Sequence, residues 1–158
     1  MTIIIRNLKP DDYEPIIMVV NKWWNGRQMS QMLPKLFFTH FNKTSFILEK
    51  EKKIIGFLIG FLSQTNLEEA YVHFIGIDPS FRGQGLGNLL YQNFFQIVKK
   101  FHCKQVKCVT SPVNYNSIAF HLHLGFQIET GNAIKDDISY FLNYDGHEEH
   151  RVLFIKYI

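Results

Sequence analysis

Apolar residues change their spacing several times along the chain, and each change marks an element. Short runs at 3–6 and 45–49 read as strands. Residues 54–64 are apolar without alternation, which suits a strand covered on both faces. Residues 71–77 are rich in β-formers and stop at Asp78-Pro79, a turn pair. From Leu86 the period becomes helical, because Leu86, Leu89, Leu90, Phe94, Ile97, Val98 and Phe101 recur at three- and four-residue steps. Ahead of these, 11–23 reads as a helix with Tyr13, Ile16, Ile17 and Val20 on its apolar face, closed by Asn25-Gly26. A second helix over 28–41 should break or kink at Pro34. Downstream come a strand at 105–110, a helix at 115–124 stopped by Gly125, and strands at 126–129 and 151–158. Residues 130–147 are polar and predict a loop with a short helix or turn near 136–141. Strands that first follow one another and then alternate with helices predict an α/β (α+β) sheet of mixed direction, with about seven strands and four helices.

Composition narrows the class. A chain of 158 residues, 46% apolar with 15 Phe, 7 Tyr and 2 Trp, forms one domain with an aromatic-heavy core. Its net charge is +3, from 17 basic and 14 acidic residues. That excess suits an anionic small molecule and is too small and scattered for nucleic acid. The N-terminus is interrupted by Arg6, too early for a signal peptide, and no apolar window is long enough for a membrane span. Cys103 and Cys108 are expected as free thiols of a cytoplasmic protein. The seven His show no metal-ligand spacing, so no metal is expected.

The chemistry concentrates between the strand at 71–77 and the helix from Leu86. Gly83, Gly85 and Gly87 lie there, with Arg82 in front. Glycines let the main chain approach a ligand without Cβ atoms in the way. The first N–H groups of a helix have no partner within it and carry the positive end of its dipole. Such a loop holds an anion, most simply a phosphate, although a tight strand-to-helix turn would use the same glycines. The dinucleotide pattern needs a glycine where Asn88 stands, and the triphosphate loop needs Gly-Lys-Ser/Thr where the chain has Gly87-Asn88-Leu89. A second constellation follows. Asn114, Ser117 and His121 fall on one helix face, with Ile118 and Leu122 on an adjacent face expected to pack inward.

Arg82-x-x-Gly85-x-Gly87, after a strand ending in Ile77-Asp78-Pro79, resembles the pyrophosphate loop of the GNAT superfamily of acyl-CoA-dependent N-acyltransferases. Asn114, Ser117, Ile118, His121, Gly125 and Phe126 match a second pattern of that family in register. The departure is His121, where most of the family has tyrosine. The resemblance covers most of the chain and implies a single GNAT-like domain over 1–158, with a mostly antiparallel seven-stranded sheet and about four helices.

The implied reaction is transfer of an acetyl group from acetyl-CoA, a cosubstrate, to a primary amine of a small molecule or peptide. The implied CoA contacts are Phe74, Ile75, Ile77, Arg82, Gly83, Gln84, Gly85, Leu86, Gly87, Asn88, Asn114, Ser117 and His121. The Arg82 side chain is expected to bond the diphosphate, and Gly76 is a place for a bulge that splays the strand. His121 is the candidate general acid toward the CoA sulfur. Glu69 and His73, with Glu68 beside them, are candidates for the base; a water chain is the other candidate. Trp23, Trp24, Arg27 and the acidic residues between 136 and 149 stand where an acceptor groove is expected. Homodimers are common in the fold. An acyl-CoA sensor or scaffold without turnover is the alternative, kept open by the histidine.

Overall fold

The computed structural model describes residues 2–158. Its strands are β1 (Ile3–Asn7), β2 (Phe46–Lys50), β3 (Lys53–Leu62), β4 (Glu69–Ile77), β5 (Gln105–Thr110), β6 (Gln127–Ile128), β7 (Ala133–Lys135), β8 (Ile138–Tyr140) and β9 (Val152–Tyr157). Its α-helices are α1 (Tyr13–Trp23), α2 (Lys35–His40), α3 (Leu86–Lys100) and α4 (Tyr115–His123). Seven strands hydrogen-bond in the order β1-β2-β3-β4-β5-β9-β6, and β7 and β8 pair separately. The β4–β5 pair is parallel; β1–β2, β2–β3, β5–β9 and β6–β9 are antiparallel. The expected mixed, mostly antiparallel sheet with four helices is present. No helix among the described residues is long and apolar enough to cross a membrane.

The chain divides into two compact units. The first holds residues up to Leu62 together with Val72–Phe101. In it β1 and β2 pair from Ile3↔Lys50 to Asn7↔Phe46, and β2 continues onto β3 with a shift between Leu48 and Glu49. Ile16, Val20 and Trp23 of α1, Phe38 of α2, Phe57 of β3 and Phe74 of β4 share one cluster. Helix α3 packs on β2 and β3 as well. Residues 55–60 are therefore buried without interruption, as the lack of alternation predicted. In β4 the pattern alternates instead: 70, 72, 74 and 76 are buried, while Tyr71, His73, Ile75 and Ile77 are half-buried.

The expected helix over 28–41 is not one kinked element. A 3-10 turn spans Ser30–Met32, and α2 begins only after Pro34, which sits at its N-cap with φ −55°. Proline lacks an N–H and restricts the residue before it, so it starts a helix more easily than it interrupts one.

The second unit holds Ser63–Tyr71 with His102–Ile158. Glu69, Ala70 and Tyr71 pair with Gln105, Val106 and Lys107, and β5 pairs with β9 from Gln105↔Tyr157 to Thr110↔Val152. Gly125, at φ 92°, closes α4, and the Phe126 N–H donates to the His121 carbonyl at 3.0 Å. The stretch expected as a loop holds the β7–β8 hairpin, with pairs from Ala133↔Tyr140 to Lys135↔Ile138. Asp136 and Asp137 form its two-residue turn, both left-handed at φ 51° and 63°. That is the conformation a type I′ turn requires, and Asp tolerates it better than most residues. With strands of three residues each, the hairpin is too short for a period of two to register in the sequence.

Candidate functional site

In the first unit, Asp78 follows the last residue of β4. Its side chain accepts from the Ser80 N–H at 2.9 Å and pairs with Lys53 at 3.3 Å. Burial opposes ionisation, but the Ser80 and Lys53 contacts outweigh it and hold the carboxyl below its ordinary value. A 3-10 turn, Pro79–Phe81, leads into the loop. Gly83 and Gly85 have φ of 76° and 77°, and nothing lies within 4 Å of where a Cβ would stand on either. Gly85 is the N-cap of α3, and Leu89 N–H makes the bond to the Gly85 carbonyl at 3.0 Å. The N–H groups of Leu86, Gly87 and Asn88 precede that bond and have no acceptor inside the helix. Gly85 brings no capping side chain, and the first turn is free of acidic residues. The result is an uncrowded cradle of main-chain donors at the positive end of a 15-residue helix. A diphosphate fits those donors.

Arg82 is placed otherwise than expected. Its Nε donates to the Ile77 carbonyl at 3.1 Å and its Nη2 to the Trp23 carbonyl at 2.7 Å. Its guanidinium stands 5.9 Å from the centre of the Trp24 ring. Two of its five N–H groups thus tie the strand end to the helix end. The side chain is a strut between strand and helix, with two of its N–H groups committed to the protein's own carbonyls.

Gly76 also has a packing role. The strand runs through it unbroken. A Cβ there would lie 2.8 Å from Trp24 Cη2 and 2.9 Å from Phe57 Cε1, so the glycine admits two aromatic rings to β4. His73 Nε2 lies 2.5 Å from the Met32 carbonyl, and its ring stacks on Phe37 at 4.3 Å and 10°. That bond makes Nε2 the protonated nitrogen, and a ring so held is braced between two elements.

In the second unit, Asn114 caps α4, accepting from the Ser117 N–H at 3.2 Å. His121 is 5% exposed, whereas Leu122, expected inward, is 43% exposed. The imidazole takes the inward position by stacking on Phe154 at 4.9 Å and meeting Phe120 and Phe126 edge-on. Its Nδ1 lies 2.7 Å from the Ser117 carbonyl. A carbonyl only accepts, so Nδ1 carries the proton and Nε2 is the basic nitrogen of the neutral ring. Burial pushes the pKa down, and the Ser117 bond only partly offsets it. His121 in this form donates nothing from Nε2; it becomes an acid only after accepting a proton there.

Glu69 accepts from Gln105 Nε2 at 2.7 Å and stands 3.5 Å from Lys107, which also faces Glu129 at 3.5 Å. Oε1 of Glu69 is thus engaged by both Gln105 and Lys107. Glu68 is exposed and pairs with Lys104 at 2.9 Å. Tyr71 lies between Glu69 and His73 on β4. Burial pushes its hydroxyl pKa up, with Cys108, Tyr144 and Asp145 adding to the effect, so it stays a phenol at neutral pH. Strand alternation places it on the same side as Glu69 and His73.

Two of the five acidic residues between 136 and 149 share one arginine. Arg151 bonds Asp145 at 2.8 Å and Glu149 at 3.1 Å. The same unit carries a cleft of about 260 Å³ lined by Ser111, Pro112, Val113, Lys135, Glu148 and His150 among others.

The sequence profile of the acetyltransferase (GNAT) family matches residues 5–126, which include both the loop and the His121 helix. This chain belongs to the GNAT family. Among similar proteins, an uncharacterized N-acetyltransferase of Methanocaldococcus jannaschii is 26% identical over 138 residues, 80% of this chain and 61% of that one. The chain therefore spans about three fifths of that relative's length. An L-2,4-diaminobutyric acid acetyltransferase of Virgibacillus pantothenticus is 22% identical over 116 residues, 71% of each chain. The crystal structure of Ard1 from Thermoplasma volcanium superposes with a TM-score of 0.80 at 18% identity, over 100% of this chain and 99% of that one. At such identity the likeness is one of fold. Both the open glycine loop before α3 and the buried histidine on α4 lie within the stretch that the GNAT profile matches.

Proposed function

We propose that this GNAT-family chain transfers an acetyl group from acetyl-CoA to a primary amine of a small molecule or peptide. The observation that carries the proposal is the cradle: left-handed Gly83 and Gly85, open space before them, and unpartnered N–H groups at 86–88. The CoA diphosphate sits on those donors in this reading. The pantetheine runs along the main chain of Phe74, Ile75 and Ile77 as an added strand would. A main-chain N–H near Phe74 or Ile75 polarises the thioester carbonyl.

The acceptor reacts as a free amine, although a lysine-like amine has a pKa of ~10.4. Its nitrogen adds to the thioester carbon, the C–S bond breaks, and one proton passes from nitrogen to sulfur. His121 Nε2 suits that passage as a carrier. As neutral imidazole it takes the proton from nitrogen; as imidazolium it is the general acid that returns it to the departing sulfur. Glu69 and His73, given their partners, serve this reading less well as base than a water chain does.

A thiol-release assay with acetyl-CoA and a panel of amines, including L-2,4-diaminobutyric acid because of the Virgibacillus relative, tests the proposal. Amine-dependent release of CoA is the expected result. CoA-dependent thermal stabilisation with no release for any amine favours the sensor reading instead, which the burial and lowered pKa of His121 support.

A further inference from the structure

The two adjacent tryptophans at the end of α1 do different things. Trp23 is core, 5% exposed and stacked on Phe57 at 6.0 Å. Trp24 is half-buried, and its indole lies against β4, 5.1 Å from the Phe74 ring and over Gly76. A glycine inside a strand weakens it, so its presence calls for a close approach, and here the approaching group is Trp24 with Phe57 beside it. Phe57 and Phe74 stack at 5.6 Å and 9°, so the floor under the indole is rigid. Arg82 stands over the same indole while bonded to the carbonyls of Ile77 and Trp23. The first residue of the anion loop and the ring on the strand are therefore one assembly.

Under the function proposed above, the thioester lies at the main chain of Phe74 and Ile75, the stretch of β4 that Trp24 covers. We infer that Trp24 is the wall that meets the end of the acyl chain and restricts the donor to short acyl groups, with Arg82 as the residue that positions it. The transfer itself is unchanged: an N–C bond forms, C–S breaks, and a proton moves from nitrogen to sulfur. What the indole sets is the room beyond the acetyl methyl. A single methylene in an apolar pocket discriminates by roughly 10- to 200-fold, so one ring suffices for the effect.

The test compares acetyl-, propionyl-, butyryl- and hexanoyl-CoA on the full chain. With an acceptor amine, the readout is the butyryl-to-acetyl ratio of kcat/KM; without one, it is the ratio of dissociation constants by titration calorimetry. The wild type is expected to favour acetyl over butyryl by about 10-fold or more. Trp24→Ala is expected to raise the ratio by about 10-fold or more, Trp24→Phe to restore part of the preference, and Arg82→Gln to shift it the same way less strongly. Thermal melts of each variant show whether it is folded, and Trp24→Phe keeps the test valid should Trp24→Ala not fold. An unchanged ratio in folded Trp24→Ala or Trp24→Phe, or a wild type that binds CoA but does not discriminate chain length, overturns the inference alone. A wild type with no affinity for any acyl-CoA overturns the proposed function, and this inference with it.

Discussion

His121 shows how one hydrogen bond redirects a residue's chemistry. Its identity suggests an acid, but the Ser117 carbonyl at 2.7 Å fixes the proton on Nδ1, and burial favours the neutral ring. The folded pKa lies below the ordinary value of ~6.5. The unfolded chain therefore binds more protons as pH falls, and the stability this ring contributes is present above pH ~6.5 and lost as pH drops through the folded pKa. His121→Phe should flatten that acid loss in urea melts taken across the range. If Nε2 relays the proton from amine to sulfur, the same variant should lose about 100-fold in kcat. Equal turnover at every pH would remove His121 from the mechanism.

At the scale of elements, backbone conformation decides what the loop and the hairpin tolerate. Gly85 has a left-handed φ of 77° with open space around it, so Gly85→Ala meets no clash but places a Cβ in front of the helix N–H groups. It should cost about 1 kcal/mol in denaturant unfolding, from the left-handed backbone alone. It should also weaken CoA binding beyond what the lost stability explains; unaltered affinity would mean the anion sits elsewhere. The β7–β8 turn behaves oppositely. Asp137 is strained at φ 63°, and Asp137→Gly should stabilise the hairpin by about 0.5 kcal/mol. Slower amide exchange at 133–140 is the readout, and faster exchange would contradict the turn assignment.

For the whole molecule, the cradle predicts linkage between ligand and stability. A ligand that binds only the folded chain, at a hundred times its Kd, adds about 2.7 kcal/mol. CoA should therefore raise the melting temperature, and pantetheine, which lacks the diphosphate, should raise it far less. The difference should shrink with added salt, because exposed charges are screened over about 10 Å at 0.1 M. Equal shifts from CoA and pantetheine would show that the diphosphate is not what the loop holds.

The sequence by itself determined most of the elements and the glycine loop, because both are local; the break at Pro34 and the β7–β8 hairpin escaped it. A change from period two to period three-four, glycines where the backbone turns left-handed, and Asn114 and Gly125 at the ends of α4 are readable within a few residues of one another. Only the tertiary structure decided what the side chains do there. Arg82 turns to a carbonyl 59 residues away, and His73 reaches one 41 residues away. Trp24 lies on Gly76, and His121 faces inward because Phe126 and Phe154 make a slot for a flat ring. Such partners are set by how elements pack, and no spacing along the chain encodes which distant carbonyl or ring a side chain will meet.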